Sequence, residues 1–181
     1  MIDTSSAIGG TRQGLSLSSP NSLLILARSA NARSLIFAAS VRLMLAHAAA
    51  QNWQEIILCD PDFAGWPLAE REVFASLQDW SKSGRSMVIL AEHYRYVEAH
   101  HARFVQWRQQ WAHIVQAYAL APEHRAISAI VTPGFCLQRL DLERSRGIVS
   151  NEASVRLGMR EVLNELRHKA SRAFAATKLG L

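Results

Sequence analysis

The chain has 181 residues, 49% hydrophobic and 19% charged, a balance that can bury one full core and excludes a disordered or fibrous chain. Its net charge of +5 is carried by seventeen Arg and three Lys; an Arg bias of this kind fits a GC-rich, bacterial coding sequence and by itself says little about a polyanionic partner. Two cysteines, Cys59 and Cys136, exclude a disulfide scaffold, and no apolar run reaches the roughly 18 residues of a membrane helix, so a reducing, cytoplasmic setting without a membrane partner is expected.

Residues 4–54 contain no acid, a composition shared with organelle transit peptides. Within them, however, LLILA at 23–27 reads as a strand and 32–50 as a strong helix. A flexible Ser-rich tail is therefore confined to 1–21. A single α/β domain is expected over 22–176, with a short tail at 177–181.

Three apolar runs share one plan: LLILA at 23–27, EIILC at 55–59 and SMVILA at 86–91. None alternates, which is the pattern of strands buried on both faces in a parallel sheet. Each precedes a helical pattern. The first carries Leu35, Ile36, Ala39 and Leu43. The second, over 68–80, has the stripe Val73, Leu77 and Trp80. The third runs over 93–111, with Val97, His101, Phe104, Trp107 or Arg108, and Trp111 on one side. Three strand–helix units predict adjacent parallel strands joined by right-handed crossovers.

The pattern then changes to short β-leaning runs at 113–120, 126–131, 135–140 and 147–149, separated by Pro122, Thr132-Pro133-Gly134 and a charged turn at 141–146. These predict further strands, at least partly antiparallel. Ser150 or Asn151 then caps a long last helix whose stripe is Val155, Met159, Val162, Leu163, Leu166, Ala170 and Phe174. The fold class is thus α/β: one domain, a mixed sheet with a parallel core, flanking helices and a long C-terminal helix.

Ligands in open α/β sheets sit outside the carboxyl ends of the parallel strands. That edge would collect Asp60-Pro61-Asp62, Glu92-His93-Tyr94 and the stretch 28–33. Asp60, Asp62 and His93 are the candidate catalytic groups, and Arg28, Ser29 and Arg33 the candidate anion-binding groups. The alternative for the two carboxylates is a turn and a helix cap, the ordinary use of Asp beside Pro. No metal site and no cofactor are expected, since no HExxH or clustered Cys ligands occur. Cys59, inside an apolar strand, reads as inert.

The helical segment 93–111 interleaves Tyr94, Tyr96, Phe104, Trp107 and Trp111 with Arg95, His100, His101, Arg103 and Arg108. Such a mixture can stack on bases and grip phosphates. Aromatic residues on one stripe read more readily as core, with the arginines on the solvated face. Six acids at 55–84 also interrupt the basic surface, so nucleic acid is a disfavoured partner. A surplus aromatic residue could serve a dimer interface.

Two family resemblances bear on function. A strand ending in Asp-x-Asp resembles the first motif of haloacid dehalogenase-like phosphotransferases, whose first Asp is a nucleophile and whose second is an acid/base. The next strand here ends in Ala91-Glu92 rather than Ser or Thr, the few lysines are misplaced and no late acidic pair follows.

The second resemblance is broader. The strand, the Asp60-Pro61-Asp62-Phe63 turn, Trp66-Pro67-Leu68, a helix, another strand and helix, and then hairpin-like strands are similar to a phospholipase D-like half-domain over 22–175. That family's signature is His-x-Lys-x4-Asp followed by Gly-Ser-x-Asn. The nearest match is His124-Arg125-Ala126, with Val131 at the acid's place and Gly147-Ile148-Val149-Ser150-Asn151 later. No His-x-Lys occurs in the chain. The resemblance therefore implies a degenerate, non-catalytic scaffold acting through binding or self-association, with a homodimer or a small anionic ligand as partner. The alternatives are a hydrolase or phosphotransferase using Asp60, Asp62 and His93, and a weak nucleic-acid binder.

Overall fold

The computed structural model of the protein describes residues 33–83, 85–141 and 146–176. The LLILA run, the tail at 1–21 and the tail at 177–181 lie outside the described residues. The elements are α1 (Arg33–Ala50), β1 (Glu55–Asp60), α2 (Arg71–Ser81), β2 (Ser86–Ala91), α3 (Arg95–His100), α4 (Ala102–Gln110), β3 (Val115–Leu120), β4 (Ser128–Val131), β5 (Cys136–Asp141), β6 (Arg146–Ser150), α5 (Ala153–His168) and β7 (Ala170–Arg172).

The seven strands form one mixed sheet in the order β6-β5-β4-β1-β2-β3-β7. β1 pairs with β2, and β2 with β3, in parallel; β4, β5, β6 and β7 join antiparallel to their neighbours. EIILC and MVILA are thus adjacent and parallel, as their unalternating composition predicts. The third parallel strand is Val115–Leu120, which the sequence pattern assigns to the later, antiparallel group. Among the described residues β1 is flanked by β2 and β4. A strand at the margin of a parallel core, half-buried at Gln116 and Ala119, loses the continuous apolar signature that marks its central neighbours.

Both faces of the central strands are covered. Ile56 and Leu58 of β1, and Met87 and Ile89 of β2, pack with Val41, Leu45, Leu77, Trp80, Val97 and Phe104 of the helices on one face. Ile57, Cys59, Val88 and Leu90 point to the other face, where Leu163 of α5 meets them. Among the described residues the fold therefore has three layers, with α1 to α4 on one side of the sheet and α5 on the other.

Val73, Leu77 and Trp80 are the buried stripe of α2. The 93–111 pattern is correct in phase but not in continuity, because His101, at φ −111° and ψ 51°, divides it into α3 and α4. The predicted cap of α5 is displaced: Glu152 takes the N-cap position without a side-chain bond, while Ser150 Oγ accepts the Glu152 N–H at 3.2 Å. Only Leu163 of the predicted α5 stripe is fully buried, and Val155 and Val162 are exposed.

Candidate functional site

The carboxyl end of β1 turns into helix α2 through residues 61–70. Asp60 is 2% exposed, and its carboxylate faces inward. Its Oδ1 accepts the backbone N–H groups of Asp62 at 3.1 Å and Phe63 at 2.7 Å. Its Oδ2 accepts the Trp66 indole N–H at 2.8 Å. This is the Asx-turn chemistry that Asp beside Pro favours, extended by a third, buried donor. Asp62, half-buried, uses Oδ1 for the Ala64 N–H at 2.9 Å.

The turn reverses at Phe63, which adopts φ 62°. Left-handed backbone at an aromatic residue costs on the order of 1 kcal/mol, and packing offsets it. The buried Phe63 ring meets Trp66 edge-on with centroids 5.0 Å apart, and Trp66 meets Phe37 of α1 at 5.4 Å. The same twist aims the Phe63 carbonyl at His101, which donates from Nε2 at 3.0 Å. That bond leaves Nδ1 as a buried acceptor with no partner among the described residues. Burial lowers the His101 pKa, against a smaller upward push from the Phe63 carbonyl.

The other strand ends close over this turn. The Pro61 carbonyl accepts the N–H groups of Glu92 at 3.0 Å and His93 at 3.3 Å. Glu92 in turn accepts the Ala126 N–H at 3.1 Å and pairs with Arg125 at 3.3 Å. His93 therefore stands at the same sheet edge as Asp60 and Asp62, but its ring is exposed and bonds to none of the described residues. Arg28 and Ser29 lie outside the described residues, as does the side chain of Arg33 at the start of α1. The cation found against the turn is Arg139 of β5. Its guanidinium lies over the Phe37 ring at 4.9 Å, and its Nη1 is 2.5 Å from where a Cβ on Gly65 would stand.

Sequence reasoning reached Asp60 and Asp62 but not their partners. Phe63 and Trp66 belong to the turn itself and His101 comes from the α3–α4 junction, and their convergence depends on a left-handed residue that no composition rule signals. The usable hint was His101 itself, a polar residue on an otherwise apolar stripe. Cys59 is fully buried, and burial pushes its thiol up to about 12.

A wide cleft of about 720 Å³ lies between α1 and α2, lined in part by Ala39, Leu43 and Ala46. At its rim Arg42 grips Glu70 in a two-pronged ion pair at 2.5 and 2.7 Å. The bonded Arg42 guanidinium holds the Glu70 carboxyl below its ordinary range. Among the described residues no cluster of His, Cys, Asp and Glu could hold a metal ion, and no helix is long and apolar enough to cross a membrane.

The fold thus defines a three-layer α/β domain with a mixed sheet, and comparison with known proteins reaches the same level of description. No protein-family model and no curated protein matches the sequence. Among solved structures the chain is similar to TrmBL2, an archaeal chromatin protein described for its mode of DNA binding, with a TM-score of 0.57 and 16% identity over 78% of this chain and 52% of that one. It is also similar to the polyphosphate kinase from Porphyromonas gingivalis, with a TM-score of 0.51 and 14% identity over 72% of this chain and 24% of that one. The chain therefore spans about half of the first structure and about a quarter of the second. At these identities the likeness shows the fold alone.

Proposed function

We propose that this chain is a non-catalytic α/β scaffold, a degenerate phospholipase D-like domain, that works through binding and self-association. The observation that carries this reading is the state of Asp60: three donors occupy its two oxygens in a buried turn. A nucleophile or general base must present a free lone pair to substrate. One acceptor position on Oδ2 stays unused, but Asp60 is 2% exposed, so a hydrolase using Asp60, Asp62 and His93 would first have to open the turn to bring substrate to it. The fold likeness to a polyphosphate kinase is compatible with this reading, and the missing His-x-Lys pair argues against the family chemistry.

Self-association is supported by the C-terminal third of the chain. Leu140, Ile148, Val155, Leu157 and Val162 are exposed, Leu157 by 59%. β6 is the outermost strand of the described sheet, and an open ladder is a template for pairing with a second copy. Sedimentation over a range of concentrations tests this: the protein should run as a dimer, and Leu157→Glu with Ile148→Glu should shift it to monomer. A wild-type monomer throughout would sink the self-association reading. Turnover of a chromogenic phosphodiester that is lost in His124→Ala would sink the non-catalytic one.

A second reading, weak nucleic-acid binding, is favoured by the likeness to a DNA-binding chromatin protein and by the net charge of +5.

A further inference from the structure

Arg108 is the most unusual charged side chain among the described residues. It lies on α4 and is 7% exposed, with its Nε and Nη1 buried and bonded to nothing among the described residues. A guanidinium stays protonated at every pH a protein survives, and a buried charge without a counter-charge is costly. Burial accordingly lowers the Arg108 pKa; the Tyr94 hydroxyl raises it and Arg172 lowers it further.

The side chain opens onto a cavity of about 320 Å³ lined by Arg108, Ala117, Arg172, Ala173, Phe174 and Ala175. Two of these six residues are arginines and none is acidic. The walls are fixed in place. Ala173 N–H donates to the Ala117 carbonyl at 3.0 Å, continuing the β3–β7 pairing past Arg172. Phe174, at φ 48°, stacks on Tyr94 with centroids 4.7 Å apart and planes within 7°. The Tyr94 hydroxyl sits 2.8 Å from the Tyr118 carbonyl oxygen and 3.0 Å from that of Ile89. The strained residue and the ring stack therefore hold the cavity against the edge of the sheet beside a cation with no anionic partner among the described residues.

We propose that this cavity is a binding site for one phosphate-type oxyanion, free or as the end of a small phosphorylated molecule, held by Arg108, with the positive charge of Arg172, whose guanidinium lies over the Tyr118 ring at 4.8 Å, adding attraction from the cavity's edge. Nε and Nη of a guanidinium form a fork whose two N–H groups match two oxygens of a phosphate or sulfate. A tetrahedral oxyanion accepts both, and Arg172 contributes through its charge rather than through a hydrogen bond. The cavity is lined from α4, β3 and β7, whereas the Asp60 turn joins β1 to α2. The proposal therefore stands or falls independently of the non-catalytic reading.

The test uses the full chain. Inorganic phosphate and phenyl phosphate are titrated calorimetrically against sodium chloride of equal ionic strength, and thermal melts are recorded in the same solutions. The expected result is saturable binding of one phosphate per chain, with a melting temperature that rises with phosphate and not with chloride. Arg108→Met should weaken phosphate binding at least tenfold. It should melt no lower than wild type without phosphate, because it removes an unpaired buried charge. If Arg108→Met does not fold, Arg172→Gln at the exposed mouth serves instead, with a several-fold loss expected. Equal melting in phosphate and chloride would overturn the proposal, as would an undiminished phosphate response in both variants. Binding of a single-stranded oligonucleotide without any binding of phosphate or phenyl phosphate would overturn it in favour of a polymer-backbone site.

Discussion

The Trp66 indole donates to Asp60 Oδ2 at 2.8 Å, and both side chains are buried. This bond ties the end of the central strand β1 to the segment that leads into α2. With two further donors on Oδ1, the Asp60 carboxylate accepts three hydrogen bonds within the turn.

Asp60→Asn is therefore not a silent change, although a simple turn would tolerate it. An amide keeps one acceptor oxygen and turns an NH2 group toward existing donors, whichever way it is flipped. The variant should lose on the order of 1–3 kcal/mol in urea unfolding. A double-mutant cycle with Trp66→Phe should show coupling between the two sites. Asp62→Asn, whose half-exposed carboxylate accepts one local N–H, should change stability by less than about 0.5 kcal/mol.

The Ser81 hydroxyl offers a second test of buried hydrogen bonding. It donates to the Leu77 carbonyl at 2.7 Å and accepts the Trp107 indole N–H at 3.0 Å, joining α2 to α4. Ser81→Ala should leave that indole N–H without a partner and cost about 1–3 kcal/mol. Trp107→Phe in the same background should not add fully, since the two residues share one bond.

Protonation should act through His101. Its neutral form donates from Nε2 to Phe63, and a second proton on Nδ1 would be buried without an acceptor. Its folded pKa lies below the ordinary value, so the unfolded chain binds the proton more readily. The stabilisation is fully present above about pH 6.5, the unfolded value, and is lost as pH falls from there through the folded pKa. Half-buried His47, which is also lowered by burial, adds to the same trend. Unfolding free energy should therefore decline below about pH 6.5, and His101→Gln should flatten that decline. An unchanged pH profile in the variant would assign the effect elsewhere.

Neither thiol should react while the chain is folded. Cys59 and Cys136 are both buried, and burial raises the pKa of each, that of Cys59 to about 12. Only the thiolate is nucleophilic. Mass spectrometry after iodoacetamide treatment at neutral pH should find no adduct in the native protein and two after denaturation.

Binding to an oligonucleotide should be weak and steeply salt-dependent, with a Kd no tighter than about 10⁻⁶ M at physiological salt, as for non-specific contacts. Filter binding at two salt concentrations checks this, and nanomolar affinity at physiological salt would refute it. Arg108 is not available for such contacts, because it is buried rather than on the solvated face of its helix.

Local composition was sufficient to identify the central strands and the buried stripe of α2. A strand covered on both faces needs every side chain apolar, so 55–59 and 86–91 announce themselves. An amphipathic helix must repeat at 3.6 residues, so Val73, Leu77 and Trp80 do likewise. The Asp60 turn was legible for the same reason, since Asp before Pro has few other uses. What tertiary structure alone decided depends on contacts distant in sequence. Val115–Leu120 became the third parallel strand because it stands beside β2, and strand pairing leaves no periodic mark in either partner. His101 reached Phe63 across 38 positions, because a left-handed backbone at Phe63 turned its carbonyl toward the ring. Arg108 and Arg172 lie 64 positions apart and line one cavity only because β7 returns to pair with β3. Sequence patterning reports which side of an element is buried, while which residues meet there is set by how the layers close.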